Sequence, residues 1–175
     1  MTLPPTRDYV PDRLVHRVPF VWVHGGAFAH GGLDQVESHQ VAEGVCLSGR
    51  PTRTVDYRLI PPPSSDPRAP LLPSPNRYPA ARNDVVAAVR DLGSPSILLG
   101  GASAGALLAA SALPEIERMG ISVLGIVFAY GLFHPELPSG ADVRRGDFTA
   151  DQIRAITLNY VGNDAGLRDP AAFPA

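Results

Sequence analysis

Lysine is absent: all fifteen basic residues are arginine. That excludes a Schiff-base lysine and the lysine of a phosphate-binding loop. The single cysteine, Cys46, excludes an internal disulfide and any multi-cysteine metal site. Its neighbours Val45 and Leu47 predict a buried, inert thiol. Charge is scarce too. Charged residues make up 18% of the chain, and a net charge of −2 with a pI near 6.2 leaves no electrostatic footprint for nucleic acid. Long apolar runs are missing: the longest uncharged one, Ile121 to Phe133, is too short to span a bilayer. Met1 to Asp8 lacks the apolar core of a signal peptide. The expectation is a soluble cytoplasmic protein that engages neither membrane nor nucleic acid.

What is present suits one domain. The 175 residues are 45% hydrophobic, enough for a core, and contain no repeat or clear internal boundary. The runs Phe20 to Val23, Arg53 to Tyr57, Ser96 to Gly100 and Val123 to Tyr130 read as short buried strands. Helical patterns lie between them. Asp34 and Glu37 have the spacing of a capping box and open a segment ending near Gly49. Pro79 suits the first turn of a helix with the face Ala81, Val85, Val89 and Leu92, and Gly93 stands just past its end. Ala104 to Leu113 is strongly helical until Pro114, which predicts a break or kink. Thr149 and Gln152 open a last helix through Tyr160, with Gly162 to terminate it. Alternating strands and helices predict an α/β domain with a mainly parallel sheet covered on both faces. Residues Pro61 to Pro79 interrupt the pattern with eight prolines in 19 positions, so they are expected to form an extended surface loop.

Two glycine-rich turns carry chemistry. Gly101 to Gly105 form G-x-S-x-G between a predicted strand and a predicted helix. In that context small neighbours permit a strained turn that lifts the Ser103 hydroxyl above the sheet edge, and the following helix points its positive end at a developing oxyanion. The competing reading is a glycine turn that only packs strand against helix. A dinucleotide-binding G-x-G-x-x-G would begin at Gly100, but Ala102 occupies its second glycine position and no carboxylate ends the next strand. The second turn, His24-Gly25-Gly26-Ala27-Phe28, directly follows a strand. Its flexible backbone can aim the amides of Gly25 and Gly26, with that of Ala104, at one carbonyl oxygen. His24 is expected to fix that loop by hydrogen bonds rather than act as a base.

Through these two turns the chain resembles the α/β-hydrolases of the hormone-sensitive-lipase-like esterase group. The matching pieces are His24 to Phe28, Val55-Asp56-Tyr57-Arg58-Leu59, Tyr78-Pro79-Ala80-Ala81 with Asp84-Val85, and Gly101 to Gly105, in the family's order. Asn159 to Gly162 and Asp169 to Pro174 resemble the stretch before the family's acid-bearing strand. The resemblance implies a partial α/β-hydrolase core and a serine hydrolase of carboxylic esters. Ser103 would be its nucleophile, and Gly25, Gly26 and Ala104 its oxyanion donors. It implies Asp56 and Arg58 as structural pins, a small-molecule ester as substrate, and no cofactor or metal.

The chain also departs from that pattern. Ala27 stands where the family usually has a third glycine, and Ala102 where an aspartate is frequent. Only 23 residues precede His24 and 72 follow Ser103, so the core is expected to be truncated at both ends, without counterparts of the catalytic aspartate and histidine. Between Ser103 and the single later histidine, His134, the carboxylates are Glu115 and Glu117. On an unbroken helix Glu115 would lie about 18 Å from the serine, at the wrong end of the domain. His134 is the remaining candidate base; its alternative is a surface-loop histidine beside Pro135. His16, His30 and His39 share no short metal-ligand spacing with carboxylates and receive no role. The competing function is a non-catalytic hydrolase-like protein, with association through an exposed sheet edge.

Overall fold

Phe20–Val23 is buried at all four positions, and the alternation of its side chains divides the domain. Val21 and Val23 enter one core, while Phe20 and Trp22 enter a smaller one on the opposite face. A strand buried on both faces belongs in the middle of a covered parallel sheet, and this one is there. The computed structural model describes residues 3–64, 69–136 and 148–174. Its strands are β1 (Thr6–Tyr9), β2 (Phe20–Val23), β3 (Thr52–Val55), β4 (Ser96–Ala102) and β5 (Ser122–Ala129), ordered β1-β3-β2-β4-β5. The last four are mutually parallel, and β1 runs antiparallel to β3.

The helices are α1 (Val36–Leu47), α2 (Ala80–Asp91), α3 (Ala104–Arg118) and α4 (Ala150–Val161), followed by one 3-10 turn, Gly166–Arg168. Val85 and Val89 of α2, Leu107 and Leu108 of α3, and Ile156 and Tyr160 of α4 share the core of Val21, Val23 and Leu99. Val41 and Val45 of α1 cover Phe20 and Trp22 on the other face. No helix among the described residues is long and apolar enough to cross a membrane.

Several local expectations change in the folded chain. The carboxylates of Asp34 and Glu37 form no capping box, because each has a partner elsewhere. Asp34 holds the Arg7 guanidinium at 2.8 Å and Glu37 turns back toward Gly25, so Gln35 caps α1 without a side-chain bond. Thr149 and Gln152 do form theirs, and Gly162 ends α4 at φ 85°. Pro114 does not end α3, which continues to Arg118: the proline lies on the exposed side, and buried Ile116 holds the last turn to the core. Cys46 is half-buried rather than buried, since the last turn of α1 directs Val45 inward and leaves Leu47 83% exposed. Pro61 to Pro79 contains neither strand nor helix where it is described; residues 65–68 of that stretch lie outside the described residues.

Register sets the site. Val23 pairs level with Val55 on one side and Gly101 on the other. The loops after β2 and β4 therefore leave the same edge of the sheet side by side.

Candidate active site

Ser103 separates the last residue of β4 from the first of α3, with φ 51° and ψ −117°. That left-handed backbone is strained for a residue with a Cβ, and it persists because both flanks are fixed. The Ser103 N–H donates to Ala129 at 2.9 Å, and its carbonyl accepts from Ala106 at 3.1 Å. The motif's glycines are required by contact. A Cβ on Gly101 would stand 2.5 Å from the Gly105 carbonyl oxygen, and one on Gly105 would stand 2.2 Å from that of Val23. Ser103 is half-buried at this turn, at the amino terminus of α3.

The His24 loop lies directly against it. A Cβ on Gly25 would be 3.2 Å from the Ser103 Cβ. Two peptide groups flank Gly25, and three of their four polar ends are held from within. The His24 carbonyl accepts from the Tyr57 hydroxyl at 3.1 Å. The Gly25 N–H donates to Glu37 Oε1 at 2.5 Å. The Gly25 carbonyl accepts from His24 Nδ1 at 2.6 Å and more weakly from Tyr57 at 3.3 Å. The fourth end is the Gly26 N–H. Among the described residues no acceptor meets it, nor the N–H of Ala104. Because a trans peptide points its C=O and N–H in opposite directions, the bond from His24 to the Gly25 carbonyl also sets the direction of the Gly26 N–H.

Burial acts on two of the groups that hold the loop. His24 is fully buried and stacked on Tyr57 with ring centroids 4.3 Å apart. Burial lowers its pKa below the ordinary value, against the raising influence of its bond to Gly25 and of nearby Asp56 and Glu37. It is neutral, with the proton on Nδ1 because a carbonyl can only accept. Its Nε2 is 4.0 Å from Asp56 Oδ1. Burial likewise pushes the Tyr57 phenol up, so it stays a donor. Tyr130, at the end of β5, donates to Glu37 Oε2 at 2.5 Å, and that bond with partial burial pushes its phenol up to about 12.

The loop behind is pinned as the resemblance implied for Arg58. Its guanidinium and its backbone N–H both bind the Asp84 carboxylate, at 2.8 and 2.9 Å. Glu115 lies with Arg82 and Arg118, away from the serine. All five histidines fall among the described residues, and no hydrogen bond joins any of them to Ser103. His134 is exposed beside Pro135. No cluster of metal-ligating side chains occurs among the described residues. Glu37 is the residue that sequence reasoning missed; its spacing from Asp34 pointed to a helix cap instead.

The sequence model of the alpha/beta hydrolase fold family matches residues 20–175. The chain belongs to that family. None of the curated proteins matches it. Among solved structures it resembles a bacterial heroin esterase, at 23% identity and TM-score 0.73, over 97% of this chain and 55% of that one. It also resembles a hyperthermophilic esterase from the archaeon Pyrobaculum calidifontis, at 26% identity and TM-score 0.71, over 97% and 56%. A hormone-sensitive-lipase homologue from a metagenome library matches at 25% identity and TM-score 0.74, over 99% and 59%. This member of the alpha/beta hydrolase fold family thus spans little more than half the length of the esterases it resembles.

Proposed function

We propose that this chain carries the nucleophile and the oxyanion site of a carboxylic-ester hydrolase that works through an acyl-serine. The observation that carries the reading is the free Gly26 N–H, held in place beside a serine on a strained strand-to-helix turn. In this reading Ser103 Oγ attacks the ester carbonyl carbon, and the carbonyl oxygen takes up negative charge. Gly26 and Ala104 donate to it, and the amino terminus of α3 adds its positive end. The C–O bond to the alcohol then breaks, and water releases the acid from the serine. Gly25 contributes its position rather than its N–H, which Glu37 holds. The substrate is a small-molecule ester, and the pathway calls on no metal or cofactor.

The serine proton needs an acceptor, and none of the histidines is bonded to Ser103. That observation favours the second reading, a hydrolase-like protein without catalysis. Hydrolysis of p-nitrophenyl acetate by the wild type and by Ser103→Ala separates the two. The esterase reading expects slow hydrolysis that depends on Ser103, bounded by the ~10³–10⁴-fold residual effect left when a triad loses a member. Equal rates in the two folded proteins would establish the non-catalytic reading. Fast turnover lost in both Ser103→Ala and His134→Ala would make His134 the base.

A further inference from the structure

Glu37 stands between the two halves of the site. One carboxylate oxygen takes the Gly25 N–H at 2.5 Å and the other takes the Tyr130 hydroxyl at 2.5 Å. Tyr130 adjoins Ala129, whose carbonyl holds the Ser103 N–H at 2.9 Å. A closed circuit results: the serine turn is tied to the end of β5, β5 through Tyr130 to Glu37, and Glu37 to the loop whose Gly25 approaches the Ser103 Cβ. The members come from segments 12 and 93 residues apart in the chain, so local folding does not create the arrangement. Nor does Glu37 cap its own helix, the role its position would otherwise serve.

Resting on the esterase reading above, we propose that Glu37, oriented by Tyr130, is the positioning residue that sets the distance between the oxyanion loop and the nucleophile. The carboxylate holds the N–H of the first peptide of the loop and Tyr57 its carbonyl; His24, with a weaker bond from Tyr57, holds the second. Without the carboxylate the first peptide keeps only its bond from Tyr57, so the loop can move relative to the serine turn and carry the Gly26 N–H with it; such donors act only when fixed in advance. A carboxylate beside a developing oxyanion would oppose it by charge. The two hydrogen bonds it accepts from Gly25 and Tyr130 offset that repulsion and tie it to the loop. The acceptor matters and the charge does not, so Glu37→Gln, which keeps an oxygen for Gly25, preserves the geometry that Glu37→Ala loses.

The test uses 4-fluorophenylboronic acid, which forms a tetrahedral adduct with an active-site serine and places a boron-bound oxygen in the oxyanion site. Fluorine NMR reports its binding to the full chain, and proton–nitrogen spectra report the Gly25 and Gly26 amides. The expected result is a Ser103-dependent adduct that weakens by about tenfold or more in Glu37→Ala, weakens less in Tyr130→Phe, and recovers to near wild type in Glu37→Gln. The Gly25 amide moves upfield in Glu37→Ala and not in Glu37→Gln, with the melting temperature of Tyr130→Phe and Glu37→Gln near wild type. An adduct of equal affinity in wild type and Glu37→Ala, with both folded, overturns the positioning role and leaves the esterase reading intact. Absence of a Ser103-dependent adduct in the wild type overturns both. An unmoved Gly25 amide in Glu37→Ala overturns the hydrogen bond on which the role depends.

Discussion

The Cβ that Gly105 lacks would stand 2.2 Å from the carbonyl oxygen of Val23. The amino terminus of α3 therefore rests on the backbone of β2, at the point where the chain enters the His24 loop. Gly105→Ala must push the two apart, because the obstacle is backbone rather than a movable side chain. The expected cost is about 3 kcal/mol, the upper part of the range for overpacking. Urea unfolding checks it; a midpoint equal to wild type would contradict the contact.

His24 makes stability depend on pH. Burial keeps its folded-state pKa below the unfolded value of about 6.5, so as pH falls the unfolded chain takes up the proton first. Its contribution is complete above about pH 6.5 and declines below it, by at most about 1.4 kcal/mol per pH unit, until the folded form also protonates. Unfolding free energies measured between pH 7.5 and 5.5 should fall for wild type and fall less for His24→Asn. Parallel curves would show that His24 is not the group responsible.

Arg58 is the partner of a carboxylate that has lost almost all contact with water. The Asp84 side chain is 2% exposed and that of Arg58 48%. Arg58→Ala leaves the buried charge with the Arg58 backbone N–H alone. The expected loss is roughly 2 kcal/mol, below the value for a fully buried pair because the arginine is half in solvent. Chemical denaturation measures it, and Asp84→Asn in the Arg58→Ala background should recover part of the loss.

The outer side of β5 is an uncharged edge. Leu124, Ile126 and Val127 are 61%, 47% and 56% exposed, and among the described residues the strand pairs with β4 alone. Such edges pair with other chains. Light scattering should find mass increasing with concentration for the wild type and less so for Leu124→Glu. A wild type that remains monomeric at high concentration would argue against association through this strand.

The strand, serine turn and helix from Ser96 to Ala104 were legible because their signal is steric and local: glycines at 101 and 105 admit backbone contacts that any side chain would block. The His24 loop was legible for the same reason. Glu37 was not. Its partners, Gly25 and Tyr130, are remote in sequence, and a carboxylate three residues after an aspartate looks like a cap until the fold offers it something better. β1 was hidden differently. Thr6 to Tyr9 has no apolar run, and it joins the sheet where Asp8 meets the largely buried Arg53 at 2.6 Å, a pairing between residues 45 apart. Pro114 misled because a proline rule written for helix interiors is weaker on an exposed face near the last turns.

The stretch between Arg58 and Tyr78 is tied to its surroundings near both of its ends. Asn76 Nδ2 donates to the Leu59 carbonyl at 2.9 Å, and Asn159 Nδ2 donates to that of Pro61 at 2.8 Å. Arg77 adds a grip on Asn159 at 3.0 Å. With its exits clamped, the span can be lengthened or shortened without disturbing the register of β3 or the start of α2. Closing a loop twice as long costs only about 0.6 kcal/mol. Chain closure therefore sets little penalty on variation in the length of this span.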